Sequence, residues 1–346
     1  MAGIQLGTAQ ILGARQEQQD AFDFTDKDDS GFVEYGGVLA VVADGIGGHA
    51  HGGEASRKAV AAFMQHYQAK PRKANIQNAI YHALIQANHA VLDFAESQGE
   101  IENCGTTLIA AALHPDSRTL HWIGVGDSRL YLFRDGQLVQ LTVDANVRSH
   151  LIKKFARGIL SSDGLDSEEN PHRLTSFLGL KKLGRIDRSI RPFPLHQGDR
   201  ALICTDGVYQ ALGKGELVEC LSDDPQTACD RIVQSILNKQ LEYQDNATVA
   251  VLSFGLKESP KVDLPVKSTP TLGMESASKD EPLETRTHRK PRLWLWGILA
   301  IAVLLLSGFM WLVKKEDKVV EKVKVIEVDL TDLKKPEKPN PSIQKH

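Results

Sequence analysis

The sequence predicts an α+β fold: antiparallel sheets with helices gathered on their outer faces. Three observations carry this. Short apolar runs rich in β-branched residues, at 38–43, 201–205 and 247–252, are bounded by glycine or charge and read as buried strands. Longer stretches with apolar residues at helical spacing come in blocks rather than between every pair of strands. The remaining strands are joined by turns, not by helical crossovers, which argues against a parallel sheet.

In chain order, residues 54–68 form an amphipathic helix with Ala55, Ala59, Ala62, Phe63 and Tyr67 on one face, and 76–96 form a longer one. Residues 106–113 are a strand. Residues 121–141 read as a hairpin unit: 122–125, then 130–133, a turn at Asp135-Gly136, then 138–141. Asp-Gly between apolar runs is a strong hairpin signal. A third helix covers 225–241. Together these make a domain over 1–255. Residues 256–292, with five prolines and many Ser, Thr and charged residues, read as a flexible linker.

Residues 293–313 carry no charge in 21 positions, enough helix to cross a hydrocarbon layer of about 30 Å. Trp294, Trp296 and Trp311 fall near the ends, where indoles favour the interface, and basic residues flank both sides. A core helix of this length would show a polar face. The segment is therefore expected to be a transmembrane helix, followed by a Lys- and Pro-rich tail at 314–346. The N-terminus has neither a basic n-region nor an apolar h-region, so no signal peptide is expected and the first domain is placed in the cytoplasm.

The chain has 346 residues and a net charge of −3, which gives no reason to expect a nucleic-acid partner. Cys104, Cys204, Cys220 and Cys229 are too dispersed for a CxxC site and read as buried thiols in a reducing compartment. Gly124-x-Gly126 is not followed by a helix, so a dinucleotide site is rejected.

The chemistry lies in carboxylates at strand ends. Asp44-Gly45 and Asp206-Gly207 each close an apolar run, and Asp245-Asn246 opens another. An Asp there is rigidly held yet reaches solvent, and three that converge make a hard, oxygen-rich cation site suited to metal-assisted hydrolysis. Arg15, in Arg15-Gln16-Glu17-Gln18-Gln19-Asp20, offers a planar fork for phosphate, and Asp20 a further carboxylate. Asp44-Gly45-Ile46-Gly47-Gly48-His49, Gly105-Thr106-Thr107 and Gly126-Asp127-Ser128-Arg129 complete the set. An isolated Asp-Gly is usually only a turn. His49 and His51 could ligate a metal, although loop histidines are usually solvated.

The ordered set, over residues 5–254, resembles the type 2C (PPM) family of metal-dependent serine/threonine protein phosphatases, and the longer Gly-Gly-His loop resembles its bacterial branch. The resemblance implies a four-layer α-β-β-α sandwich with two antiparallel sheets. It also implies two Mn2+ or Mg2+ ions at one edge of the sheets, with a third, looser one possible. By the same resemblance Asp44 bridges the two metals, the Gly45 carbonyl ligates the first, and Asp206 and Asp245 ligate the second. Asp20 holds metal-bound waters, Asp127 ligates the third metal, and Arg15 binds phosphate. Gln19 stands where many relatives have Glu, Ile46 where some have a proposed general-acid His, and Asp144-Ala145-Asn146 where Asp-His-Ser is usual. Residues 147–173 correspond to a mobile flap. The expectation is a single-pass protein of a bacterial cytoplasmic membrane that hydrolyses phosphoserine and phosphothreonine on proteins. The alternatives are a phosphoprotein-binding pseudo-phosphatase, which three intact carboxylates argue against, and a membrane scaffold.

Overall fold

One strand of the central layers shows how the sequence builds them. In β3 (Val38–Ile46) the residues from Val38 to Ala43 are all buried, because both faces of the strand are covered. Val38, Ala40 and Val42 point into a core shared with a second sheet, while Leu39, Val41 and Ala43 pack under helices. Each fully buried Val or Leu contributes about 1.5–3 kcal/mol. That is why the run reads as continuous apolar sequence rather than as an alternation.

The computed structural model describes residues 3–46, 50–101, 103–161 and 169–255. Before β3 come β1 (Ile4–Ile11) and β2 (Asp20–Phe24), and after it β4 (Gly105–Thr106), β5 (Leu108–His114), β6 (Thr119–Val125), β7 (Arg129–Arg134) and β8 (Gln137–Gln140). Then follow β9 (Asp187–Arg188), β10 (Phe193–Pro194), β11 (Arg200–Cys204) and β12 (Ala247–Phe254). One sheet has the order β1-β12-β11-β7-β8; the other runs β10-β6-β5-β3-β2, with β4 paired to β3 and β9 to β6. Every one of these pairs is antiparallel.

The inner faces of the two sheets meet through Ile109, Leu113, Leu130, Ile203 and Leu252, among others. On one outer face, helices Ala50–Gln68 and Ile76–Gln98 bury Phe63, Tyr67, Leu84 and Val91 against Leu39 and Val41. On the other, helices Lys214–Cys220 and Pro225–Asn238 bury Leu217, Cys229 and Ile232 against Leu202, Val249 and Val251. This is the expected α-β-β-α sandwich. All four cysteines are buried and unpaired.

Helix ends follow capping chemistry. Asn75 accepts from the Asn78 N–H, and Gly99 closes the same helix in the left-handed region. Asp224 caps the last helix, with Pro225 at its first position. That helix stops at Asn238 rather than at 241, because Gln240 turns at φ +48. The first long helix begins at Ala50, four residues before the periodicity suggested.

Two expectations needed correction. Residues 121–141 are not one hairpin: β7 and β8 pair about Asp135-Gly136, both at positive φ, but β6 belongs to the other sheet. Gly126, at φ +102 and with Thr107 Cβ 2.6 Å from where its own Cβ would stand, swings the chain across the gap. The strand at 106–113 is interrupted at Thr107, whose hydroxyl pairs with Ser128 at 2.7 Å. Both departures place polar residues at one edge of the sandwich.

Among the described residues no helix is long and apolar enough to cross a membrane. The linker, the apolar segment at 293–313 and the tail lie outside the described residues, as do Gly47, Gly48 and His49.

Candidate active site

Asp20 opens β2 directly opposite Asp44 of β3. The strand does not end before Asp44, as the apolar run suggested, but continues to Ile46 because Gly45 and Ile46 pair with β4. Backbone bonds fix Asp44: its N–H donates to Thr107 Oγ1 (3.0 Å), and its carbonyl accepts from Thr106 Oγ1 and the Thr107 N–H (both 2.8 Å). Gly45 fits a slot where a Cβ would lie 2.2 Å from the Gly52 carbonyl oxygen, so no larger residue can hold this backbone position.

Asp206 begins the short helix Asp206–Tyr209 after β11, and Asp245 lies just before β12. Gly207 lets these segments touch; a Cβ there would stand 2.0 Å from the Asn246 carbonyl oxygen. Buried Gln244 ties them further, its Nε2 donating to the carbonyls of Gly207 and Asp245 (both 3.0 Å). Gln210 Nε2 donates to Asp206 Oδ2 at 2.8 Å. Arg15 reaches in from the β1–β2 connection and pairs with Asp245 Oδ2 at 2.8 Å.

Asp20 is buried, and its Oδ2 accepts from Thr248 (2.7 Å) and Thr205 (2.9 Å). Its Oδ1 and the Oδ1 of Asp206 are buried without a hydrogen-bond partner. Burial pushes the Asp20 carboxyl up to about 7, against the two threonine bonds and with the charges of Asp206 and Asp245. Asp44 is held well above the usual carboxylate range by burial and then by Asp20, Asp206, Asp127 and Asp245. Burial and Asp245 raise Asp206. Asp127, on the crossing between sheets, rises to about 7 through burial, then Asp206 and Asp144. Five carboxylates thus share one edge of the sheets, four of them too crowded to carry ordinary charge without a cation.

Two unsatisfied carboxylate oxygens aimed into such a crowd fit a hard divalent ion. Among the described residues no group of three or more His, Cys, Asp or Glu could hold a metal ion by itself. Mg2+ bound through one or two carboxylates usually keeps several waters. His51 stacks edge-on against Phe94 and is part of the packing, not of this set.

The sequence reading gave no role to several residues that build the site. Thr205 and Thr248 clamp Asp20, and Thr106 and Thr107 hold Asp44. Arg129 makes a bidentate pair with Asp144 (2.7 and 3.1 Å) and lies 3.4 Å from the Tyr209 ring centroid. That stack walls the Asp127 side, where Arg129 and Tyr209 both act on the Asp127 carboxyl. For Thr205, Thr248, Arg129 and Tyr209 the signal was adjacency to an Asp of the linear motifs; Thr106 and Thr107 stand in a motif of their own. Gln19 works through its backbone, its carbonyl accepting from Gly45 N–H (3.1 Å) and Ser56 Oγ (2.6 Å) and its N–H donating to Asn246 Oδ1 (2.8 Å).

The family description Protein phosphatase 2C matches residues 11–244 of this chain, from the end of β1 to the residue before Asp245. The chain belongs to the protein phosphatase 2C family. A serine/threonine phosphatase stp of Listeria innocua is 27% identical over 225 residues, 64% of this chain and 86% of the relative. The crystal structure of the PPM Ser-Thr phosphatase MsPP from Mycobacterium smegmatis, in complex with cacodylate, superposes with a TM-score of 0.58 at 30% identity. It covers 72% of this chain and 98% of that one. The catalytic domain of serine/threonine protein phosphatase PstP in complex with two manganese ions superposes at 0.57 and 25% identity, covering 72% and 98%.

Proposed function

We propose that this site hydrolyses phosphoserine and phosphothreonine on proteins, using a water activated by two Mn2+ or Mg2+ ions. The observation that carries the proposal is the shared sheet edge, where crowded carboxylates include two buried oxygens with no partner. Bound there, the ions would supply a hydroxide at neutral pH and neutralise the phosphate oxygens. From the end of β3 Asp44 would serve both metals and the Gly45 carbonyl the first; Asp206 and Asp245 would serve the second. Asp127 would hold a third ion. Asp20, oriented by Thr205 and Thr248, leaves Oδ1 without a partner and would hold metal-bound water with it.

Arg15 is the phosphate ligand in this reading. It is half-exposed, and its fork can leave Asp245 for a phosphomonoester, a bidentate exchange of one anion for another. No cysteine is placed for a covalent intermediate, because all four are buried in the layers.

The domain covers 1–255 in this proposal. Residues 256–292 tether it, and 293–313 cross a bacterial cytoplasmic membrane once with the catalytic domain inside; the uncharged run of 21 residues supports this. The enzyme would then act on phosphoproteins made by serine/threonine kinases near the membrane. Residues 1–255 expressed alone should hydrolyse p-nitrophenyl phosphate only with added Mn2+ or Mg2+. Turnover that survives EDTA would sink the two-metal reading.

A further inference from the structure

Beside the carboxylates lies a cleft that the hydrolytic chemistry does not use. It is an open cavity of about 280 Å³ lined by Gly207, Gln210, Ala211, Leu241, Glu242 and Tyr243, with Gln244 and Asp245 at its inner end. It adjoins the active site through two side chains. Gln210 holds Asp206, and Asp245 holds Arg15.

The wall of this cleft is rigid where it meets the site and exposed where it meets solvent. Gln240, at φ +48, turns the chain out of the last helix. Buried Gln244 pins the far end through the Gly207 and Asp245 carbonyls, and its own carbonyl accepts from the Ala14 N–H at 2.7 Å. Between these anchors Leu241 is 44% exposed and Tyr243 86% exposed. A large aromatic left this open on a fixed loop, next to Asp245, gains nothing for the fold.

The charges around the cleft are unequal. Asp245 is already paired with Arg15, and nearby Lys239 with Glu216 at 2.8 Å. Glu242 lines the cavity without an ion-pair partner among the described residues. The cleft therefore combines an apolar strip, an open aromatic face and one uncompensated carboxylate. That combination suits a side chain with an aliphatic stem and a cationic head: the stem lies along Ala211 and Leu241, and the head meets Tyr243 and Glu242.

We propose that this cleft is a substrate subsite that takes an arginine or lysine flanking the phosphorylated residue. The inference rests on the phosphatase reading of the site and adds a sequence preference to it. Tyr243, Glu242 and Leu241 would choose among phosphoproteins without touching the reacting atoms.

The test uses the full chain with Mn2+ and a set of phosphothreonine peptides that differ only in the residues flanking the phosphothreonine: arginine, leucine or glutamate. p-Nitrophenyl phosphate, too small to reach the cleft, is the control. The arginine peptide should exceed the glutamate peptide about tenfold in kcat/KM. Tyr243→Ala and Glu242→Gln should each remove most of that preference, chiefly through KM, and leave p-nitrophenyl phosphate turnover within about twofold of wild type. Glu242→Lys should invert the preference. Equal rates on the arginine and glutamate peptides, or a leucine peptide that outperforms both, would overturn the proposal. So would variants that slow p-nitrophenyl phosphate as much as the peptides. Wild-type chain inactive on every substrate would instead defeat the phosphatase reading itself.

Discussion

Replacing Asp127 with Asn should stabilise the metal-free domain while impairing the enzyme. Asp127 is 7% exposed, and its carboxyl is raised from the ordinary 3.8 to about 7 by burial and by Asp206 and Asp144. The folded state therefore keeps a proton that the unfolded chain has already lost, so stability falls as pH rises between those two values. Above pH 7 the ionised carboxylate costs about 4 kcal/mol, since each tenfold gain in proton affinity is worth about 1.4 kcal/mol. An Asn side chain has no charge to desolvate, but its buried amide hydrogens cost about 1–3 kcal/mol where they find no acceptor. The net gain is about 1–3 kcal/mol, and for a domain of this size it raises Tm by roughly 3–10 °C. Thermal melts of residues 1–255 in EDTA at pH 8 and pH 5 measure it. The gap should be wide at pH 8, mostly closed at pH 5, and smaller when Mn2+ neutralises the carboxylate. A variant that melts at or below wild type at pH 8, or a gap that ignores pH, would refute the argument.

Three further outcomes follow from the same site. Asp206→Asn and Asp245→Asn should each abolish turnover with circular dichroism unchanged, because an amide replaces a negative ligand of a hard cation. Arg15→Ala should raise KM for phosphopeptides about tenfold or more while a Mn2+ titration stays near wild type; loss of metal affinity instead would mean that its partner Asp245 depends on it. Protease added to intact spheroplasts should trim only the segment after 313 and leave the catalytic domain membrane-bound and active. Digestion of that domain would reverse the proposed orientation.

The layers were legible because burial on both faces writes itself into sequence. Runs such as 38–43 and 247–252 admit hardly any polar residue, and apolar residues at helical spacing mark the helices. Asp44, Asp206 and Asp245 were legible because each stands at the end of an apolar run. What was not legible is pairing at a distance. Nothing local says that β6 and β7 part company at Gly126, since the reason is Thr107, distant in sequence, in the break between β4 and β5. Thr205 and Thr248 read as ordinary strand residues until folding puts both hydroxyls on Asp20. The cleft beside Gln210 is likewise invisible along the chain, because its walls come from segments about 30 residues apart.

The pairing of β1 with β12, Ile4 opposite Phe254, bears on when the site comes into being during synthesis. β12 is an interior strand that stands between the first strand and β11, so its sheet stays divided until the ribosome has delivered it. Asp20 and its clamp Thr248 are 228 positions apart, which makes closing that contact one of the last steps and a slow one. A nascent chain that has already folded its first helices therefore carries no half-working site. Hydrolytic competence arrives with β12, all at once.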